Sequence, residues 1–334
     1  MPESNKLQGE LQSILHPIIG PKKEITDLTG RTAVVTGGAL GIGFEISRHF
    51  ALNGCKVIML NRKEEQGQEA IEKIKSEKAD AQVEWKPIDL GSLNEVKKVG
   101  DELRDSLDRL DLLICSAGIN TNSFGLDADG YDRHFGVNWL GHFYLINLLF
   151  PVLRKTSKIP DAPAPRIVFE ASEVHRMAPP DVHYGSFEEI NDDRTGPTHL
   201  YARTKLAMIL GAKFILKERV IDKNGDHIYA LSVHPGTVNT DMQEQWKNAY
   251  PGWFGTIVSR AMQAVGRSPE QGSFSALYAA TSPEIEEKGW NGYYFADPES
   301  NQANDRNLAN ALYDLSTRMI KEKVGQDALL PWDA

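Results

Sequence analysis

Short runs of aliphatic and β-branched residues alternate along this chain with longer segments that are apolar on one face only. That alternation is the signature of a parallel sheet buried under helices on both sides. It predicts strands at 32–36 (TAVVT), 56–60 (KVIML), 82–88 (QVEWKPI), 110–115 (LDLLIC), 166–171 (RIVFEA), 227–233 (HIYALSV) and 292–296 (GYYFA). Helices are predicted between them near 42–53, 64–78, 92–108, 128–154, 200–220 and 269–281. No repeat or low-complexity linker interrupts the series, so the expected fold is α/β: one doubly wound Rossmann-type domain with a seven-stranded parallel sheet. Its predicted extent is 28–296, between an N-terminal extension, 1–27, and a C-terminal extension, 297–334.

Two connections exceed the usual length of such loops. The first, 173–199, is rich in Pro, Asp, Gly and His; the second, 237–268, carries Met242, Trp246, Tyr250, Trp253 and Phe254. Long loops at the carboxyl ends of parallel strands are where such folds hold ligands, which makes the second a candidate apolar lid. An aromatic satellite core is the competing reading.

Composition narrows the field. With 334 residues and a net charge of −9, the chain lacks the concentrated basic face that nucleic acid needs. The two cysteines, Cys55 and Cys115, fall in or beside predicted strands and read as core residues of a protein from a reducing compartment. The longest apolar run, 139–153, is shorter than the roughly 18–20 residues of a membrane span, and no secretory signal opens the chain. The expected location is therefore cytoplasmic. Leu7–Ile19 is weakly amphipathic, suited to packing on the domain or to peripheral membrane contact.

The segment TGGALGIG (36–43) lies between the first strand and the first helix. Gly37 permits a tight turn, Gly41 lets backbone approach a pyrophosphate, and Gly43 allows close helix–strand packing, with the helix N-terminus facing the anion. Ile42 belongs to the same loop. The second strand ends in Asn61–Arg62, with no carboxylate before Glu64. An NAD site carries an Asp or Glu in this region for the ribose 2′-hydroxyl, whereas a guanidinium suits a 2′-phosphate. The expected cofactor is NADP(H).

Tyr201 and Lys205 stand four apart in YARTK, one turn along a segment that reads as an amphipathic helix. Alone, that spacing is common. In order along the chain, however, TGGALGIG, IDL (88–90), CSAG (115–118), VNWLG (137–141), RIVFEAS (166–172), YARTK (201–205) and HPGTVNT (234–240) resemble the motifs of the short-chain dehydrogenase/reductase superfamily. The match covers 28–296; ASEVHR, YARTKLAMIL and HPGTVNT look most like its retinol dehydrogenase and WW-domain oxidoreductase branch, as does the separation of Ser172 from Tyr201.

The resemblance implies a catalytic set of Asn138, Ser172, Tyr201 and Lys205. Tyr201 would be general acid/base and Ser172 would bind the substrate oxygen. Lys205 would lower the phenol's pKa and hold the nicotinamide ribose, and Asn138 would hold a water leading from Lys205 to solvent. It implies cofactor contacts at Asp89 and Leu90, at Ser116, Ala117 and Gly118, and at Pro235, Gly236, Val238 and Thr240. Two positions depart from the family pattern. CSAG replaces NNAG, so Ser116 stands where the family has a longer amide that steadies the sheet. Glu170 occupies an apolar strand position. A carboxylate there is costly unless hydrated or paired; an open strand end is the favoured expectation, a paired carboxyl of raised pKa the other.

No HExxH motif accompanies the nine histidines and no GxSxG surrounds Ser172, which argues against metal-dependent and serine hydrolases. The sequence thus points to an oxidoreductase of carbonyl reductase or alcohol dehydrogenase type, acting on an apolar, bulky ketone, aldehyde or alcohol. Two alternatives stay open: an NADP(H)-binding regulatory protein with little turnover, and a membrane-peripheral dehydrogenase of retinol or lipid alcohols. The resemblance also leaves open a homodimer paired through the helices near 128–154 and 200–220, or a pairing blocked by the 297–334 tail.

Overall fold

The computed structural model describes residues 27–121, 123–236, 268–296 and 300–333. Seven parallel strands form one sheet in the order β3-β2-β1-β4-β5-β6-β7. They are β1 (Thr32–Thr36), β2 (Lys56–Asn61), β3 (Val83–Pro87), β4 (Leu112–Cys115), β5 (Arg166–Glu170), β6 (Tyr229–Val233) and β7 (Tyr294–Phe295). The order reverses between β1 and β4, and a doubly wound sheet opens its ligand crevice at such a reversal. The register brings the functional strand ends level: Thr36 faces Cys115, Cys115 faces Phe169, and Glu170 faces Val233.

Both faces of the sheet are covered, which explains the unbroken apolar runs. On one side Ala33, Val35, Val57, Met59, Ile114 and Val168 pack with α1 (Gly41–Leu52), α2 (Glu64–Glu77) and α6 (Pro269–Thr281). On the other, Val34, Ile58, Leu113, Ile167 and Phe169 pack with α3 (Leu93–Ser106), α4 (Arg133–Thr156), α5 (Pro197–Leu210) and α7 (Arg306–Val324). Cys55 and Cys115 are free and fully buried in these cores.

Caps set several boundaries. The Ser92 hydroxyl accepts from the Glu95 amide at the start of α3, Ser268 and Gln271 form a reciprocal capping box on α6, and Asp305 accepts two amides of α7. The 19-residue α7 lies in the segment read from sequence as a plain C-terminal extension. It packs on α3 and α5, with Trp139 Nε1 donating to Ser316 Oγ at 2.8 Å. The chain beyond it folds over α4, where Asn147 exchanges two hydrogen bonds with Leu330 and Trp332 packs on Phe143 and Phe150.

The apolar run 139–153 lies in a core helix, as its length implies, and one other helix differs from expectation. By length and composition α4 could cross a membrane, but 89% of its most apolar window is buried inside the protein, as in a core helix. The segment read as amphipathic, α5, is buried on every side, from Leu200 through Leu210. Its charged residues therefore need partners. The Arg203 guanidinium finds Asp132 at 3.1 Å and the Ile190 carbonyl at 2.5 Å. The predicted lid 237–268, except Ser268, and the weakly amphipathic segment Leu7–Ile19 lie outside the described residues.

Candidate active site

The turn after β1 is shaped by what glycine lacks. Gly37 and Gly41 have φ of +65° and +55°, left-handed values that a side chain would strain. A Cβ on Gly43 would stand 2.3 Å from the Gly37 carbonyl oxygen, and one on Gly37 2.9 Å from Ala117 Cα. The loop is thus clamped between α1 and the end of β4. The N-cap residue of α1, Leu40, supplies no side-chain hydrogen bond, and no acid occupies the helix's first turn. Ile42 lies in that turn, half-buried. Open amides beside close-packed glycines fit the pyrophosphate of a dinucleotide.

Arg62, just past β2, is largely exposed, with Nη1 3.9 Å from Asp89 Oδ2. Asn61 donates from Nδ2 to the Lys63 carbonyl, and its buried Oδ1 has no hydrogen-bond partner among the described residues. Asp89 accepts the Gly91 amide through its side chain, while Leu90 is buried in the core. Gly236 has φ +82° beside Pro235; Val238 and Thr240 lie outside the described residues.

The departure from NNAG is accommodated through two residues that the sequence reading did not single out for the site. Thr36 Oγ1 accepts the amides of Ser116 and Ala117 at 3.0 and 3.1 Å, tying β1 to the end of β4. Behind it, His142 Nδ1–H donates to the Asn138 carbonyl at 2.8 Å, which leaves Nε2 to accept from the Thr36 hydroxyl, also at 2.8 Å. Burial holds the His142 pKa down to about 4, so the ring is neutral and this tautomer is stable. The signal was its position four residues after Asn138 on the same helix.

Asn138 lies in a π-helical turn, Gly136–Leu140, at the head of α4. Such a turn re-aims side chains. Asn138 Oδ1 accepts the Ile119 amide at 2.8 Å, and Nδ2 donates to the Ile119 carbonyl and to Thr204 Oγ1 at 3.0 and 3.1 Å. Its amide therefore fastens the chain after β4 to α5.

Ser172 begins a 3₁₀ turn, Glu173–Met177, immediately after β5, and its half-buried hydroxyl accepts the Val174 amide at 3.2 Å. That turn packs against α5, which carries Tyr201 and Lys205, both buried. Lys205 Nζ lies 5.4 Å from the centre of the Tyr201 ring and donates to the main-chain oxygen of Glu170 at 2.6 Å. A Cβ on Gly118 would stand 3.5 Å from Asn138 Oδ1 and 3.8 Å from Lys205 Nζ, so the end of β4 closes on the same centre.

The electrostatics differ from expectation in two respects. Glu170 does not end an open strand: it is 5% exposed, and neither carboxylate oxygen has a hydrogen-bond partner among the described residues. Burial raises its pKa well above the carboxylate range, with Lys205 opposing. Nor is the Tyr201 phenol lowered in the protein by itself; burial, and then Glu170, push it up. Burial pushes Lys205 down, with Glu170 opposing. The centre gathers three ionisable groups that each favour the neutral form more than they would in water.

Residues 31–184 match the family model described as short chain dehydrogenase. A WW domain-containing oxidoreductase of Gallus gallus is 33% identical over 309 residues, spanning 90% of this chain and 70% of that protein. A polyprenol dehydrogenase of Mus musculus is 29% identical, over 98% and 92% of the two chains. A solved structure from Mycobacterium Paratuberculosis superposes with a TM-score of 0.65 at 25% identity, covering 89% of this chain and 96% of the other. With its sheet order, its glycine loop and these relatives in agreement, the chain belongs to the short-chain dehydrogenase/reductase superfamily of oxidoreductases.

Proposed function

We propose that this oxidoreductase interconverts a carbonyl and an alcohol using NADP(H), with Tyr201 as the proton-transferring group. The observation that carries this reading is the convergence of Ser172, Tyr201 and Lys205 on the end of β5, tied by the bond from Lys205 Nζ to the Glu170 carbonyl. When bound, the cofactor supplies or accepts a hydride at the substrate carbon; the chain must bind, orient and handle the proton.

In reduction, the Tyr201 hydroxyl gives its proton to the developing alkoxide, and the Ser172 hydroxyl donates a hydrogen bond to the same oxygen. In oxidation the phenolate takes the alcohol's proton. Lys205, positively charged beside the ring, favours that phenolate, while its bond to the Glu170 carbonyl holds the ammonium in place. Asn138, through Ile119 and Thr204, positions this part of α5 against the end of β4.

Preference for NADP(H) is supported by Arg62 at the end of β2 and by the lack of a carboxylate between Asn61 and Glu64. An apolar, bulky substrate is supported by the composition of 237–268 and by the polyprenol dehydrogenases among the relatives. Rates of cofactor oxidation with a panel of ketones and aldehydes, run with NADPH and NADH in parallel, test both halves. The expected result is turnover of apolar carbonyls with NADPH favoured. Tight NADPH binding without turnover on any of them indicates the regulatory protein instead.

A further inference from the structure

Glu170 is a buried carboxyl with nothing to accept from. Alternation along β5 places it on the face of Arg166 and Val168, since Arg166 Nη1 donates to the Ala279 carbonyl of α6 and Val168 packs in the core shared with α1. That is the side from which the glycine loop and α1 rise. Yet Glu170 also stands beside the catalytic helix, because Lys205 Nζ reaches across the strand end to its carbonyl oxygen and bypasses the carboxylate. The carboxyl therefore sits at the end of β5, on the α1 side of the sheet and near the proton-transferring groups, 5% exposed and without a hydrogen-bond partner among the described residues.

An unpartnered buried carboxyl is expensive, and a ligand that brings a positive charge or N–H and O–H donors would offset that cost. The nicotinamide end of the cofactor brings both: ribose hydroxyls, a carboxamide, and, in the oxidised form alone, a ring cation. Resting on the proposed function, we propose that Glu170 is a cofactor-contacting residue that sets the balance between the two redox forms, its ionised carboxylate favouring NADP⁺ over NADPH.

The neighbouring titratable groups leave this role to Glu170. Lys205 and Tyr201 face it from α5. His142 on α4 is neutral and fully engaged between Thr36 and Asn138. His234, after β6, has its Nδ1 accepting the Glu173 amide at 3.4 Å. On α1, Arg48 pairs with Glu45 and Glu77, and His49 meets Glu270 of α6 at 4.0 Å. The carboxyl is held protonated by its burial, so pairing with the ring cation releases that proton, and binding of the neutral reduced ring does not.

Calorimetric titrations of the full chain with NADP⁺ and with NADPH, in two buffers of different ionisation enthalpy near pH 7, read both affinity and proton release. Protons exchanged by the 2′-phosphate are common to both forms and cancel in the difference. The expected wild-type result is greater proton release with NADP⁺, persisting in Tyr201→Phe. In Glu170→Gln the excess vanishes and the affinity ratio moves roughly tenfold toward NADPH. Equal proton release by the two forms in the wild type overturns the inference without recourse to any variant. So does a Glu170→Gln protein that keeps the wild-type difference or weakens both forms equally. Failure of the wild type to bind either form overturns the proposed function, and this inference with it; normal binding with an unchanged difference in Glu170→Gln overturns this inference alone.

Discussion

The two ends of the site are built from opposite materials. At the glycine loop everything depends on backbone: left-handed φ at Gly37 and Gly41, a Gly43 pressed on the Gly37 carbonyl, and an α1 with no side-chain bond from its N-cap residue and no acid in its first turn. At the end of β5 everything depends on buried charge: Glu170, Tyr201 and Lys205, each shifted toward its neutral form by burial. A backbone site is pre-formed and indifferent to pH, and fails when a methyl group is added. A charge site tolerates isosteric change in shape but responds to every change in ionisation. The lesson is that recognition of the invariant phosphates can be left to geometry, while a proton that must move requires groups poised between two states.

Substitutions at the two ends should therefore fail differently. The largest effect is expected for Tyr201→Phe, which removes the proposed proton donor and keeps the ring. Turnover should fall about 10²–10⁴-fold while the dissociation constant for NADPH, read by fluorescence, barely moves. Gly43→Ala should do the reverse. Its Cβ would stand 2.3 Å from the Gly37 oxygen, forcing the loop open at a cost of about 1–3 kcal/mol. Cofactor affinity should drop roughly tenfold or more, with the pH profile of the remaining activity unchanged.

Arg62→Ala sharpens the backbone side, because this guanidinium is the positive charge proposed there for the 2′-phosphate. Loss of a charge-assisted contact of about 1.5–3 kcal/mol should lower kcat/KM for NADPH roughly tenfold or more and leave NADH untouched. Loss of both in equal measure would mean that Arg62 serves Asp89, its neighbour at 3.9 Å, and not the 2′-phosphate.

The smallest effect belongs to folding stability. A glutamate of raised pKa keeps its proton in the folded state where the unfolded chain has already lost it. Glu170 therefore lowers stability as pH climbs above its ordinary 4.5, and Lys205, held below its ordinary 10.5, acts in the opposite sense on the alkaline side. Glu170→Gln should melt near the wild-type temperature at pH 4.5 and ~2–4 °C above it at pH 8. Parallel melting curves across that range would show that Glu170 is not buried and protonated.

The same contrast explains what could be read from sequence. Strand positions, the sheet and the glycine loop were legible because local rules fix them: apolar runs for strands covered on both faces, glycine where φ is positive. The order of the family motifs brought Ser172, Tyr201 and Lys205 into view. The environment of those residues was not legible. Burial of Glu170 depends on the strand ends and α5 meeting in space, and no local pattern separates a strand's last buried residue from its first exposed one. YARTK looked amphipathic because it carries Arg203 and Lys205, whose buried partners Asp132 and the Glu170 carbonyl lie far away in sequence. α7 had a readable signal in Leu308, Leu312, Leu315 and Met319 at helical spacing, behind the cap Asp305. His142 and Thr36 form a link visible only once α4 is laid against β1.

In the proposed function the cluster on β5 and α5 moves a proton while the bound cofactor exchanges a hydride with a carbonyl carbon. NADPH carrying deuterium at the transferable C4 position, incubated with the protein and a mixture of apolar ketones and aldehydes, tests it directly by mass spectrometry of the products. The prediction is an alcohol with one deuterium on its carbinol carbon, formed by the wild type and suppressed at least a hundredfold or so in Tyr201→Phe. Bound NADPH with no labelled alcohol from any carbonyl, or equal labelling by the Tyr201→Phe protein, would contradict it.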